Sequence, residues 1–218
     1  MPTYHTPDQW LIKSIDSLKK QTYPNFECWI VKDGCRWAAG SYFSQLTCLE
    51  CNVCKNTIKF CKELQISDNR FKFYILPIHM SGAGWGPRNF AILNTTHDLI
   101  AYLDDDNWYE PDHLESLVNK IKETNVDVVY TGTKVYNAEG TEILYERLQS
   151  GKPVAGGIDT SEILHRRHLI EEFGGWRFVP KCNDWDIVKR WLPTASFAHT
   201  GKFTLNFRLR ENCGIPRQ

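Results

Sequence analysis

The sequence predicts an α/β fold. Short apolar runs alternate along the chain with amphipathic stretches, which is the pattern of strands and helices that build one sheet with covering helices. The chain has 218 residues, of which 42% are hydrophobic and 13% aromatic, enough to form a substantial core. No internal repeat, low-complexity linker or long charged tail divides it. We therefore expect residues 1–218 to form a single domain.

The first half of the chain has clear helix and strand signals. Thr6 is expected to cap a helix, with Pro7 in its first turn and Gln9 completing a capping box. Pro87 is expected to open another helix after a glycine-rich loop, and Pro111 a third. The core-facing helical positions are Leu11, Ile15, Leu18, Leu114, Leu117, Val118 and Ile121. Strands are predicted over residues 28–31, 71–76, 99–103 and 126–130.

The second half is less regular. A glycine-rich loop at 151–157 precedes a predicted helix that ends at Gly174-Gly175. The apolar residues of that helix are expected to be Ile163, Leu164, Leu169, Ile170 and Phe173. A last helix follows Asn183-Asp184 and should stop at Pro193.

Three adjacent acids, Asp104, Asp105 and Asp106, directly follow the apolar run at 99–103. Adjacent like charges repel, so their position at the end of a buried strand indicates a bound cation. Hard oxygen ligands suit Mg²⁺ or Mn²⁺, and magnesium commonly takes only one or two protein carboxylates, with water and substrate phosphates as its other ligands. The alternative interpretation is a solvated acidic turn.

Charge and composition exclude several classes of protein. The 26 basic and 26 acidic residues balance, so no overall field attracts nucleic acid or an anionic membrane. Met1 is followed by polar residues rather than by an apolar signal core, and no apolar run is long enough for a transmembrane segment. We therefore expect a cytoplasmic protein with no nucleic-acid partner.

Eight cysteines are present, and Cys48, Cys51 and Cys54 form a Cys-x-x-Cys-x-x-Cys run with Cys61 beyond it. Without a secretory signal, thiols or metal ligands are expected rather than disulfides. A zinc site usually takes a second pair of ligands from a separate segment, and no second Cys-x-x-Cys occurs. Two interpretations of these cysteines therefore remain open. The favoured one is a set of thiols on one face of a helix, and the other is a zinc or iron–sulfur site.

A series of short motifs runs along nearly the whole chain. In order, they are Pro2-Thr3-Tyr4, residues 21–27 (QTYPNFE), Asp33-Gly34, Arg88-Asn89, the acidic triplet, Gly174-Gly175-Trp176 and Asn183-Asp184-Trp185-Asp186. This series resembles the family 2 glycosyltransferases of the GT-A fold. The resemblance implies a Rossmann-like, mixed and mainly parallel sheet flanked by helices. It assigns residues 1–107 to a nucleotide-sugar-binding half and residues 108–218 to an acceptor-binding half.

The resemblance also implies an inverting transfer of a sugar from a nucleotide-diphosphate donor, expected to be a UDP-sugar, to an acceptor hydroxyl. The acceptor is expected to be a glycan, a lipid-linked molecule or a protein. Mn²⁺ or Mg²⁺ is expected to neutralise the leaving pyrophosphate. By similarity, Asp106 binds the metal, and Asp104 and Asp105 face the ribose or the waters of the metal. His199 is a second expected ligand for the metal or the pyrophosphate, with a structural role as the alternative.

Four further residues are implied to bind the nucleotide-sugar. Thr3 and Tyr4 belong to the first motif, and Asp33 is implied to accept a hydrogen bond from the uracil base, with an Asp-Gly turn as the alternative. Arg88 is implied to contact the phosphates or ribose of the donor, with a surface or helix-capping arginine as the alternative.

Asp184 is implied to be the general base that removes the proton from the acceptor hydroxyl, with a helix cap as the alternative. Gly175 and Trp176 are implied to bind the acceptor, Trp176 as a flat platform for a sugar ring. Packing in the core is the alternative for this tryptophan.

The sequence also departs from the family pattern. Lys32 and Asn183 replace acidic residues, and Met1 directly precedes Pro2-Thr3-Tyr4, where the family has its first strand. Either the sheet lacks that strand or the chain starts late. A catalytically silent GT-A-like interaction module, with a metal on its cysteines, is the alternative hypothesis for the function.

Overall fold

The computed structural model describes residues 1–35, 54–149, 151–180 and 182–210. The predictions for Cys48 and Cys51 concern residues outside these ranges. Within them, strands and helices alternate along the chain, which confirms the α/β class.

The first sheet is parallel and has three strands in the order β1, β2, β3. The strands are β1 (Pro2–Thr3), β2 (Cys28–Lys32) and β3 (Phe71–Ile75). Among the described residues of this half of the chain, the helices are α1 (Asp8–Lys19), α2 (Lys55–Ser67) and α3 (Trp85–Leu93). The strands predicted at 28–31 and 71–76 are confirmed to within one residue.

The N-terminal strand is present but short, since β1 has two residues and pairs with β2 through Pro2 and Thr3. Beyond it, a cavity of about 310 Å³ lies beside β4 (Leu99–Ala101) and is lined partly by Met1, Cys28 and Trp29. Among the described residues, the strands form two separate sheets.

The second sheet has six strands, in the order β4, β8, β6, β9, β5, with β7 paired to β6. Its remaining strands are β5 (Trp108–Tyr109), β6 (Val128–Tyr136), β7 (Ile143–Arg147), β8 (Ile163–Arg166) and β9 (Phe197–Arg208). In this sheet β6 pairs with β9 in parallel, whereas all the other strand pairs of the sheet are antiparallel. The helices of this half are α4 (His113–Thr124), α5 (His168–Phe173) and α6 (Asn183–Trp191).

Two sequence predictions of local structure are wrong. Thr6 does not cap α1, because Pro7 holds the cap position without a side-chain cap, while the Thr6 hydroxyl donates a hydrogen bond to Asp105. Ile163 and Leu164 belong to strand β8 rather than to a helix, since they pair with Tyr130 and Val129 of β6. Both residues are buried, so this strand is covered on both faces and its sequence is a continuous apolar run. Periodicity cannot distinguish such a run from a short buried helix.

The hydrophobic core crosses the boundary between the two halves of the chain. One buried cluster joins Leu11 and Ile30 to Leu103, Leu114 and Leu205. The predicted helical faces of α1 and α4 are buried as expected. No helix among the described residues combines the length and the apolar character needed to cross a membrane.

Candidate active site

The acidic triplet lies in the turn between β4 and β5. Asp105 is 8% exposed, and the side chains of Asp104 and Asp106 are 27% and 14% exposed. The alternative interpretation of a solvated acidic turn is therefore wrong. Burying adjacent carboxylates is costly unless cations or hydrogen-bond donors compensate their charge.

Each acid of the triplet has a partner of its own. Arg88 Nη2 donates to Asp104 Oδ1 at 2.5 Å, and Arg210 Nε lies 2.6 Å from Asp106 Oδ2. The hydroxyl of Thr6 donates to Asp105 Oδ2, and Arg210 also approaches Asp105 Oδ1 at 3.9 Å. Arg210 is 44% exposed, so of the two arginines it is the one with room to move away.

The electrostatics of the turn favour a further positive charge. Burial raises the pKa of Asp106 to about 7, Arg210 opposes this rise, and the charges of Asp104 and Asp105 add to it. Burial likewise raises the pKa of Asp105, against the hydroxyl groups of Thr6 and Thr3. A nearby cation would reverse these shifts, because it stabilises the ionised carboxylates.

Asp184 lies in the first turn of α6 and accepts a hydrogen bond from the backbone N–H of Trp185 at 2.8 Å. The cap position of the helix is held by Cys182, so the helix-cap alternative does not describe Asp184. Burial raises the pKa of Asp184, the Trp185 amide lowers it, the charge of Asp104 raises it and Arg88 lowers it. The fold therefore brings Asp184 and Asp104 into one electrostatic environment, although 80 positions of sequence separate them.

Asp159 is a member of the site that the sequence analysis missed. Its pKa is raised well above the ordinary value by burial and by the charges of Asp104, Glu162 and Asp184. It precedes a short 3₁₀ helix, Thr160–Glu162, where it forms a capping box with Glu162. Within this helix, Ser161 Oγ accepts a hydrogen bond from the backbone N–H of Asp104 in the acidic turn, at 3.2 Å. The spacing of Asp159 and Glu162 is the sequence signal that could have identified this turn.

Arg88 links the acidic turn to the surrounding loops. It is 5% exposed, its Nη1 donates to the carbonyl of Ala83 at 2.6 Å, and its guanidinium lies over the ring of Trp176 at 4.6 Å. The surface and helix-capping alternatives are therefore wrong for this residue. Its direct partner is Asp104, so its observed role is to hold that carboxylate in position.

Asp33 follows β2 and organises the loop after β3. Its two carboxylate oxygens accept hydrogen bonds from the backbone N–H groups of Met80 at 2.7 Å and Ser81 at 3.1 Å. His79 Nδ1 lies 3.0 Å from Asp33 without hydrogen-bond alignment. A carboxylate has about four acceptor positions, so these contacts leave capacity for a further donor.

Thr3 and Tyr4 lie next to Asp33 at the same edge of the first sheet. The carbonyl of Thr3 accepts a hydrogen bond from Asp33 N at 2.9 Å, and the ring of Tyr4 stacks on His5 and His79, each at 4.3 Å. The strands of this sheet are parallel, and their carboxyl ends are where such sheets commonly bind ligands.

Trp176 does not form an open platform for a sugar ring. It is 3% exposed, Tyr102 packs edge-on against it at 5.0 Å, and it belongs to the largest buried cluster of the second sheet. The alternative of core packing is the one that the structure shows. Gly175 precedes it, and Asn89 Oδ1 lies 2.4 Å from the position that a Cβ at Gly175 would take.

Replacing Gly175 with alanine is expected to destabilise the fold by about 1–3 kcal/mol, because the added methyl group displaces Asn89. Asn89 Nδ2 donates to the Trp176 carbonyl at 2.8 Å and Asn89 Oδ1 accepts from Trp176 N at 2.9 Å, so both bonds should be lost. Urea denaturation of Gly175→Ala, Asn89→Ala and the double variant measures this. Full additivity of the two single effects would contradict the displacement of Asn89.

His199 does not join the acidic turn. It pairs with Tyr130 near the start of β9, whereas Arg208, at the other end of that strand, donates to the carbonyl of Asp106 at 3.2 Å. Two strands, β8 and β6, lie between β9 and β4. The geometry therefore gives no support to His199 as a metal ligand, and we do not retain it in the proposed site.

The donor set of the acidic turn fits a hard divalent cation. Within the described residues, its carboxylates do not form a cage of three ligand atoms within 4.8 Å of one another. Mg²⁺ commonly uses one or two carboxylates and completes its coordination with water and phosphate oxygens, so a complete protein cage is not required. The raised pKa of Asp106 is a second sign of fit, because a bound cation stabilises the ionised form of a buried carboxylate.

Comparisons with known proteins identify the family of the chain. The family model for Glycosyl transferase family 2 matches residues 54–183. Glycosyltransferase GlyA of Streptococcus pneumoniae serotype 4 is 31% identical over 183 residues, which cover 80% of this chain and 23% of GlyA. The O-antigen biosynthesis glycosyltransferase WbnJ of Escherichia coli is 28% identical over 214 residues, covering 94% of this chain and 76% of WbnJ.

Solved structures show the same fold. S. aureus TarS 1-349 in complex with UDP-GlcNAc matches with a TM-score of 0.70 and 17% identity, covering 97% of this chain and 58% of that one. S. aureus TarS itself matches with a TM-score of 0.69, covering 95% of this chain and 36% of that one. The chain thus spans about a quarter of GlyA and about a third of TarS. The fold is that of the GT-A glycosyltransferases, and the family model covers more than half of the sequence, so the chain belongs to glycosyl transferase family 2.

Proposed function

We propose that this chain transfers a sugar from a nucleotide-diphosphate sugar to an acceptor hydroxyl, by a single inverting displacement. The observation on which the proposal rests is the proximity of Asp104, Asp159 and Asp184 in one acidic site, with the buried Arg88 paired to Asp104. In the proposed site, an acid suited to proton removal lies beside an acidic turn suited to a cation. Family membership supports the reaction class.

Asp184 is the proposed general base. A carboxylate must be ionised to accept the proton of the acceptor hydroxyl, and a pKa raised by burial makes it a stronger base in that form. The proton moves to a carboxylate oxygen of Asp184 as the hydroxyl oxygen attacks the anomeric carbon, and the bond to the nucleotide diphosphate breaks. Trp185 N holds one oxygen of Asp184, which leaves the other oxygen for the hydroxyl.

Asp106 is the proposed protein ligand for Mn²⁺ or Mg²⁺, with Asp104 and Asp105 near the ribose or the waters of the ion. When bound, the ion supplies positive charge that stabilises the pyrophosphate as a leaving group. Arg88 keeps Asp104 in place, and Thr6 does the same for Asp105. In this structure the Arg210 guanidinium pairs with the Asp106 carboxylate, so it must move away before the ion can bind there.

We propose a UDP-sugar as the donor, with Asp33, Thr3 and Tyr4 at the nucleotide base. The support is the position of these residues at the carboxyl edge of the parallel sheet, together with the structural likeness to a TarS fragment that was solved with UDP-GlcNAc. The acceptor is proposed to be a glycan, a lipid-linked molecule or a protein, and Trp176 is not among the residues that bind it.

UDP-sugars are expected to raise the melting temperature of the chain in the presence of Mn²⁺ or Mg²⁺. A ligand at 100 times its Kd stabilises a protein by about 2.7 kcal/mol, which is readily measured by thermal shift. UDP, UDP-GlcNAc, UDP-glucose and UDP-galactose are compared with GDP and CMP as controls, each with and without the ion. Transfer is then tested by measuring the UDP released when glycan, lipid-linked or protein acceptors are added.

Two outcomes would contradict the proposal. Equal stabilisation by all nucleotides would argue against a UDP-specific base site. The absence of any response to nucleotides, in a chain that melts cooperatively, would favour the silent interaction module over the enzyme.

A further inference from the structure

We propose that His5, Cys35 and Cys54 form a zinc-binding site, separate from the acidic turn. The three residues come from different parts of the chain: His5 follows β1, Cys35 follows β2, and Cys54 is the cap residue of α2. One ligand atom from each lies within 4.8 Å of the other two. Within the described ranges, this is the only group of three such ligands that the fold assembles.

The distances are close to those of a tetrahedral zinc site. Zn–S bonds of about 2.3 Å and Zn–N bonds of about 2.0–2.1 Å require roughly 3.8 Å between two sulfur ligands and roughly 3.6 Å between sulfur and nitrogen. Cys35 Sγ lies 3.3 Å from Cys54 Sγ and 3.5 Å from His5 Nε2. Shifts of a few tenths of an ångström would therefore admit the ion.

The environment favours the forms of these side chains that bind zinc. Cys54 stands at the N-terminus of α2, where the positive end of the helix dipole stabilises a thiolate. Cys35 and Cys54 are 4% and 1% exposed, so few competing water molecules reach the sulfur atoms.

The site differs from the one that the cysteine spacing indicated. Cys61 lies in another buried cluster, with Leu11 and Ile30, and burial raises its pKa to about 12, so it remains a protonated thiol. Cys48 and Cys51 lie outside the described residues, and we assign them no role in the site. A sulfur and imidazole donor set selects zinc, whereas the carboxylates of the acidic turn select Mg²⁺ or Mn²⁺.

The consequence for the fold is a link between three loops at the carboxyl edge of the first sheet. His5 stacks on Tyr4, and Cys35 is two residues from Asp33. A zinc ion here would hold Tyr4 and Asp33 of the proposed base site in fixed positions. The inference itself does not depend on the proposed reaction, because metal binding is measured directly.

The test is the metal content of the 218-residue chain. The chain is purified under reducing conditions, equilibrated with zinc and passed through gel filtration, and its zinc is then measured by elemental mass spectrometry. About one tightly held zinc per chain is expected. Cys35→Ser, Cys54→Ser and His5→Asn should each lower the zinc retained by at least tenfold. Cys182→Ser is the matched control, since Cys182 is exposed and lies outside the cluster, and it should retain the ion.

Replacement of zinc by Co²⁺ keeps the test decisive even if a variant fails to fold. The wild-type chain with Co²⁺ should show thiolate-to-metal charge-transfer absorption, which a carboxylate site cannot produce, and excess Mg²⁺ should not remove it. Absence of zinc from the reduced chain, cobalt without thiolate absorption, or full zinc retention in both cysteine variants would overturn the proposal. A Cys35–Cys54 disulfide in the protein purified without reductant, with no zinc uptake after reduction, would overturn it as well.

Discussion

Replacing Asp184 with asparagine is expected to lower the rate of sugar transfer by about 10²–10⁴-fold, the range typical for loss of a general base. Asparagine keeps the size of the side chain and can still accept the hydrogen bond from Trp185 N. It cannot take a proton from the acceptor. Donor affinity, measured by calorimetry with the metal and a UDP-sugar, is expected to change little, so the loss should appear in kcat.

Asp186→Asn is the matched control for this prediction. Asp186 lies two residues further along the same helix, and its carboxylate pairs with Arg190 at 3.1 Å. Its substitution removes the same charge from the same helix and should leave the rate within a fewfold of the wild type. Transfer at the wild-type rate by Asp184→Asn would show that another group is the base, and Asp159 would be the next candidate.

Asp184→Asn should also leave the chain at least as stable as the wild type near neutral pH. Burial raises the pKa of this acid, so its ionised form is less favourable in the folded chain than in the unfolded one. A neutral amide removes that penalty. Loss of activity together with unchanged or higher stability therefore distinguishes a catalytic effect from misfolding.

Replacing Asp106 with asparagine is expected to weaken metal-dependent donor binding by more than about 100-fold. Loss of a residue that only supports a metal ligand typically costs about 10–100-fold in metal affinity, and loss of a direct ligand should cost more. The reason is that Asp106 is the proposed direct ligand of the ion. Calorimetric titration of UDP with and without Mn²⁺ measures the effect. Asp112→Asn serves as the control, because it removes an acid that pairs with Lys202 at the surface, and it should bind the donor normally.

The pH dependence of the same carboxyl provides an independent check. Its pKa of about 7 means that protons compete with the cation below this pH, so metal-dependent UDP binding should weaken as the pH falls from 8 to 6. Without metal the folded chain holds the proton more tightly than the unfolded chain, so the contribution of Asp106 to stability falls as the pH rises from about 4 to about 7. Asp106→Asn should remove this fall in thermal denaturation measured at pH 5 and pH 8. A wild-type chain with the same pH profile as the variant would contradict the assignment.

The alternation of apolar runs and amphipathic stretches determined the α/β class, and helices such as α1 and α4 follow directly from their 3.6-residue periods. Prediction from local sequence was wrong for β8, because this strand is buried on both sides and therefore shows no alternation of apolar and polar residues. It was also wrong for Thr6, whose hydroxyl donates a hydrogen bond to the distant Asp105 instead of capping the helix. Periodicity reports which side of an element is covered, and it contains no information when both sides are covered.

For the candidate site, the sequence determined which residue types occur at the ends of strands and helices, and their order indicated the family. Only the tertiary structure decided which of them meet. It placed Asp159 beside Asp184 and Asp104, buried Trp176 under Arg88, kept His199 away from the acidic turn, and grouped Cys35 and Cys54 with His5 while Cys61 entered the core. The physical reason is that charge coupling and metal coordination act across a few ångströms of space, whereas these residues are brought together by loops whose paths depend on packing between the two sheets.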